Sequence, residues 1–107
     1  MFISQTFTQK FELGQVLITP GAYEELDLKD VCSCLVRHAD GDFGDVCEED
    51  KAYNEEALET GGRILSAYHD RNGVKFWIIT EWDRSATPIL LPSEYSMTTG
   101  RETGPDI

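Results

Sequence analysis

Residues 63–81 read Arg63-Ile64-Leu65-Ser66-Ala67-Tyr68-His69, then Asp70-Arg71-Asn72-Gly73, then Val74-Lys75-Phe76-Trp77-Ile78-Ile79-Thr80-Glu81. Two runs rich in β-branched and aromatic residues flank an Asn-Gly pair. This predicts an antiparallel hairpin closed by a tight primed turn, because Asn and Gly tolerate the positive φ angles that such a turn demands. In the second run Val74, Phe76, Ile78 and Thr80 alternate with Lys75, Trp77, Ile79 and Glu81. Both faces of that strand are therefore expected to be partly covered.

On the C-terminal side Asp83-Arg84-Ser85 reads as a turn, and Thr87 to Pro92 as a further strand, placed at a sheet edge by its prolines. Residues 96–107 are polar, contain Gly100 and Gly104, and read as a flexible tail. On the N-terminal side Gly61-Gly62 stops a helix expected over about Val46 to Thr60. Asp45, with Glu48 three residues on, resembles a capping box at its start. Val46, Tyr53 and Leu58 are its only large apolar residues apart from alanines, so a narrow face is left to pack inward.

The glycine-rich stretch Asp40-Gly41-Asp42-Phe43-Gly44 ends an earlier helix, which Asp27 caps and which runs to about His38. Leu28, Val31, Cys32, Leu35 and Val36 recur on it at helical spacing and predict one apolar stripe. Further back, Gln15-Val16-Leu17-Ile18 reads as a short strand, and Thr19-Pro20 opens a short helix over Gly21 to Leu26. Phe2, Phe7, Phe11 and Leu13 suggest an extended lead-in held by aromatic contacts. The order strand, helices, strand, strand, strand predicts an α+β fold: one domain over residues 1–95, with an antiparallel sheet of about four strands and two to three helices on one face.

A chain of 107 residues with 40% hydrophobic content is the size of a single domain. No apolar run approaches the roughly 20 residues of a membrane span, and Met1-Phe2-Ile3-Ser4-Gln5 lacks the basic head of a secretion signal. A cytoplasmic protein without a membrane partner is expected. Cys32, Cys34 and Cys47 are odd in number and read as reduced thiols.

Charge is the most uneven property of the chain. Asp40, Asp42, Asp45, Glu48, Glu49, Asp50, Glu55, Glu56 and Glu59 face a single base, Lys51, so residues 40–59 carry −8 of a net −11. Such a surface repels phosphate, which removes direct nucleic-acid binding through bulk electrostatics and favours a basic partner. Glu48, Glu55 and Glu59 follow one ridge of the expected helix, with Glu49 and Glu56 beside it.

Other chemistries fit less well. Cys32, Cys34, His38 and Cys47 are zinc-type ligands, but residues two apart on a helix point to nearly opposite sides, and Cys32 on the apolar stripe reads as a small buried side chain. Asp40, Asp42 and Asp45 fail a calcium loop, with Asp45 where glycine should turn the chain and Lys51 where the bidentate glutamate should be. No metal or cofactor is expected. An enzymatic alternative would gather His38 and Asp42 with Ser66, Tyr68, Glu81, Asp83 and Arg84, and of these His38, Asp42, Glu81 and Arg84 would be the working set. No Gly-x-Ser-x-Gly, phosphate-cradling loop or paired-His motif assigns a reaction.

Several strings together resemble a known family. They are His38-Ala39-Asp40-Gly41-Asp42-Phe43-Gly44-Asp45, Glu49-Asp50, Asn54 and Gly62-Arg63-Ile64-Leu65-Ser66-Ala67-Tyr68. Trp77-Ile78-Ile79-Thr80-Glu81, Asp83-Arg84-Ser85-Ala86-Thr87, Leu90-Leu91-Pro92 and Tyr95 complete the set. Over roughly residues 14 to 95 the chain is similar to small bacterial proteins of unassigned function, often labelled plasmid-related and carried on mobile elements. The resemblance implies a context and no catalytic residue. Small proteins of mobile elements defeat host defences, and restriction enzymes and CRISPR effectors carry basic channels that an acidic domain can occupy.

The expected function is a non-catalytic acidic protein that inhibits such a defence protein as a nucleic-acid mimic. Asp40, Asp42, Asp45, Glu48, Glu49, Glu55, Glu56 and Glu59 would be its contacts, and its partner a basic nucleic-acid-binding protein. A small enzyme and an accessory protein of plasmid maintenance are the alternatives.

Overall fold

The hairpin forms and supplies two of the four strands of the sheet. In a computed structural model describing residues 9–95, Ile64–His69 (β2) pairs antiparallel with Lys75–Thr80 (β3) in the register Ile64↔Thr80 to His69↔Lys75. The expected primed turn is replaced by a longer one. Gly73 N–H bonds Asp70 O, and Asp70 N–H bonds Val74 O, leaving Arg71, Asn72 and Gly73 as a three-residue loop. Only Gly73 has positive φ (83°), so the pair is read as a type I turn closed by a glycine bulge, with Asn72 at negative φ.

The buried Asp70 carboxylate organises this loop by accepting the N–H groups of Asn72, Val74 and Asp27. Burial alone would raise its pKa, but these three donors hold it below the usual carboxylate range.

Gln15–Ile18 (β1) and Ala86–Leu90 (β4) complete a four-stranded sheet of order β1-β4-β3-β2. The α+β single-domain expectation holds, with two corrections. β1 runs parallel to β4, Gln15↔Ala86 to Ile18↔Ile89, so the sheet is mixed. β4 is also interior rather than at an edge, despite Pro88. Its register with β3 covers only Trp77↔Leu90 and Ile78↔Ile89 and stops short of Pro88, whose nitrogen has no proton to give.

Strand alternation places Ile64, Ser66, Tyr68, Phe76, Ile78, Thr80, Thr87 and Ile89, all buried, on one face. The three helices cover it. Ala22 from Pro20–Glu25 (α1) and Val31 and Cys34 from Leu28–Ala39 (α2) form one cluster with Leu26, Tyr68, Phe76, Ile78 and Ile89. Ala57 from Glu48–Thr60 (α3) meets Phe11, Phe43 and Ile64 in a second. On the opposite face Ile79 and Leu90 are buried and Trp77 lies edge-on to Tyr95 at 5.8 Å.

Helix ends follow the local signals at three places. Thr19 Oγ1 accepts Ala22 N–H, with Pro20 in the first turn. Asp27 accepts Lys29 and Asp30 N–H at the start of α2. Gly61 closes α3 in the left-handed region with its N–H on Ala57 O. The capping box at Asp45 does not form: Cys47 occupies the N-cap without a side-chain bond, and Asp45 bonds His69 Nδ1 at 2.9 Å instead.

The stripe on α2 is also rotated from expectation. Val31, Cys34 and His38 face the core, whereas Cys32 is exposed, as are Leu28 and Val36. Residues 1–8 and 96–107, and with them the Phe2 and Phe7 contacts and the expected flexible tail, lie outside the described residues. No helix of the described residues is long and apolar enough to cross a membrane.

Candidate functional site

The acidic segment is fastened along the open edge of β2. Ala67 N–H bonds Phe43 O at 3.1 Å, and Asp45 N–H bonds Ala67 O at 2.7 Å, so the glycine loop pairs with the strand like a short extra one. Gly44 is required there. It sits at φ 73°, and a Cβ would collide with Ala67 O and the Tyr68 ring. Two residues upstream on β2, the buried Asn54 side chain of α3 takes over: Nδ2 donates to Leu65 O at 2.8 Å and Leu65 N–H donates to Oδ1 at 3.1 Å.

This fastening turns Asn54 and Ala57 inward and the charge outward. Asp40, Asp42, Asp45, Glu48, Glu49, Glu55, Glu56 and Glu59 are all exposed. At 3.6 residues per turn Glu48 and Glu59 lie opposite the inward face made by Asn54 and Ala57, Glu55 stands roughly a quarter turn round from Asn54, and Glu49 and Glu56 share a flank with Tyr53. Two of the eight are already paired. Arg37 Nε donates to Asp42 at 2.9 Å and holds that carboxyl below its ordinary pKa, and Asp45 meets His69. Among the described residues no ion pair involves a glutamate of α3.

The magnitude of the charge is informative. Thirteen residues of helix extend for about 20 Å. The six carboxylates on it give about one charge per 3 Å, close to the roughly 3.4 Å per phosphate on one strand of DNA. Lys51 removes one of them.

Of the residues weighed for catalysis, His38, Ser66, Tyr68, Asp83 and Arg84 make hydrogen bonds within the fold. His38 is fully buried, with Nδ1 2.6 Å from Ser66 Oγ and Nε2 2.8 Å from Thr80 Oγ1. Thr80 Oγ1 lies 2.8 Å from Thr87 Oγ1, and Thr87 donates to Leu13 O at 2.6 Å. A carbonyl can only accept, so every proton in the chain is assigned from that end. Thr87 gives its proton to Leu13, Thr80 gives its own to Thr87, His38 gives Nε2–H to Thr80, and Ser66 donates to Nδ1. His38 is thus the neutral Nε2–H tautomer, and burial pushes its pKa down from 6.5 to about 3.

The other members are spread apart in role. Tyr68 Oη donates to Asp42 O at 2.6 Å, and burial pushes its pKa up. Asp83 accepts the N–H and hydroxyl of Ser85 rather than pairing with Arg84. Arg84 spends its guanidinium on backbone carbonyls: Nη1 reaches Gly62, Glu81 and Trp82, and Nη2 reaches Ala57 in the last turn of α3. Among the described residues no group of three or more His, Cys, Asp or Glu is placed to hold a metal ion.

Sequence reasoning passed over Asn54 as an anchor and Arg84 as a helix cap. The visible signal for Asn54 was a lone amide on the narrow inward face of an otherwise charged helix. No protein-family model matches the chain, and no curated protein or solved structure shows significant similarity to it.

Proposed function

We propose that this protein is a non-catalytic acidic binding protein of a mobile element. It inhibits a nucleic-acid-handling defence protein, a restriction enzyme or CRISPR effector, by occupying its basic surface. The observation that carries the reading is α3, whose glutamates are exposed and form no ion pair among the described residues, giving with Asp50 and Lys51 a net charge of about one per 4 Å of helix that Asn54 fixes to the sheet. A charged face held rigidly loses little conformational freedom on meeting a cationic channel. The plasmid-related resemblance supplies the biological setting, and His38 and Arg84 of the enzymatic alternative are engaged in bonds within the fold.

The test is a charge reversal of Glu48, Glu55 and Glu59 to Lys. The wild type, immobilised and exposed to lysate of its host, is expected to retain a basic nucleic-acid-binding protein that salt releases and whose activity it inhibits with an equimolar endpoint. The folded triple variant is expected to lose both retention and inhibition. Equal inhibition by the two proteins rejects the electrostatic reading.

A further inference from the structure

Beside the acidic ridge two large aromatic side chains stand in solvent. Trp82 is 67% exposed and Tyr53 is 57% exposed. The Tyr53 hydroxyl and the Trp82 backbone meet at the same few groups. A Cβ on Gly62 would lie 3.1 Å from Tyr53 Oη, Gly62 O accepts Arg84 Nη1 at 2.7 Å, and the same Nη1 reaches Trp82 O at 3.2 Å.

Isolated exposed aromatics are ordinary on protein surfaces. These two differ in how they are held. Arg84 sits at φ 60°, a conformation that costs a non-glycine residue energy, and its guanidinium bonds four carbonyls from α3, the following turn and the β3 end. The segment that carries Trp82 is thereby locked to the C-terminal end of α3.

We propose that Trp82 and Tyr53 form an aromatic platform that receives an arginine side chain of a cationic protein partner, with Glu49, Glu56 and Asp83 as its carboxylate rim. The inference rests on the acidic-binding reading above and adds to it the residues that anchor the contact. Charge complementarity selects the occupant. Glu49 and Glu56 flank Tyr53 on α3, and Asp83, exposed and kept anionic by Ser85, follows Trp82. Of the two arginines next to Gly62, Arg84 is committed to carbonyls and Arg63 donates to Tyr95 Oη. A planar guanidinium both stacks on an aromatic face and bonds a carboxylate in a fork, which ammonium cannot do. An aromatic centre inside a polar rim is also the usual anatomy of an interface anchor.

The test titrates the ¹⁵N-labelled protein with an oligoarginine peptide and an oligolysine peptide of equal length at fixed low salt. The Trp82 indole N–H, distinguished from that of Trp77 by the Trp82→Ala variant, is expected to shift with oligoarginine. Oligoarginine is expected to bind about fivefold more tightly than oligolysine, with the two affinities becoming equal in Trp82→Ala. An unmoved indole, or an arginine preference that persists in Trp82→Ala, overturns the platform. The acidic-surface reading survives that outcome where reversal of Glu48, Glu55 and Glu59 weakens both peptides. A triple variant that binds both peptides as tightly as wild type overturns the two together.

Discussion

The Asn54 carboxamide bonds both backbone groups of Leu65, donating Nδ2–H to the carbonyl and accepting the N–H on Oδ1, and so replaces a neighbouring strand with one side chain. Replacement by alanine leaves a donor and an acceptor at the β2 edge without partners. Asn54→Ala is expected to lower unfolding free energy by about 2–3 kcal/mol. Urea denaturation should show a lower midpoint with little change in slope. A loss below about 0.5 kcal/mol would show that water serves the Leu65 groups equally well.

His38 gives the protein an acid-sensitive stability. Its pKa is about 3 when folded, against 6.5 for the free side chain, so the unfolded chain binds the proton more strongly. The contribution is complete above pH 6.5 and declines as pH falls toward 3, by about 1.4 kcal/mol per pH unit. Protonation also puts Nδ1–H against the Ser66 hydroxyl that now donates to it. Comparing Tm between pH 7 and pH 4.5 for wild type and His38→Gln isolates this effect, because both proteins share the same background of carboxylate repulsion. A parallel pH dependence would assign the acid limb to other groups.

Arg84 combines a strained backbone with four side-chain bonds. Both Arg84→Ala and Arg84→Gly lose the bonds, but only glycine relieves the positive φ. The glycine variant is expected to be the more stable of the two by about 1 kcal/mol. Thermal or urea unfolding of the pair measures the difference directly. Equal stability would mean that the turn relaxes once the guanidinium is gone.

The thiols divide by exposure. Cys32 and Cys47 are exposed and Cys34 is buried, with burial raising its pKa. Ellman's reagent is expected to titrate two thiols rapidly in the native protein, and the third only on unfolding. Rapid release from all three would place Cys34 at the surface.

What could be read from the sequence was local. Thr19-Pro20, Asp27 and Gly61 mark helix ends whose bonds lie within a few residues, and the strands of the hairpin follow from alternation. What could not be read depended on distant partners. The rule that bars proline from sheet interiors misplaced β4, because the ladder with β3 simply stops short of Pro88. Asp45 looked like a cap until His69, far along the chain, took its carboxylate. The rotation of α2 was settled by Ser66 and Thr80, inward polar positions that need a buried partner and find it in His38 rather than beside Cys32. In the candidate site, the outward direction of the carboxylates was legible from their number. Their anchoring through Asn54 and the Trp82 turn held by Arg84 were not.

The parallel pairing of β1 with β4 joins the first strand of the described residues to the last, Gln15 beside Ala86. A nascent chain can build its helices and the β2–β3 hairpin early, but β1 has no neighbour until the residues near 89 have left the ribosome. Closing so wide a loop is slow compared with local structure formation. The domain therefore completes its sheet only after nearly all of it has been synthesised. Until then the backbone of Val16, Leu17 and Ile18 waits unpaired, a stretch that chaperones can recognise during translation.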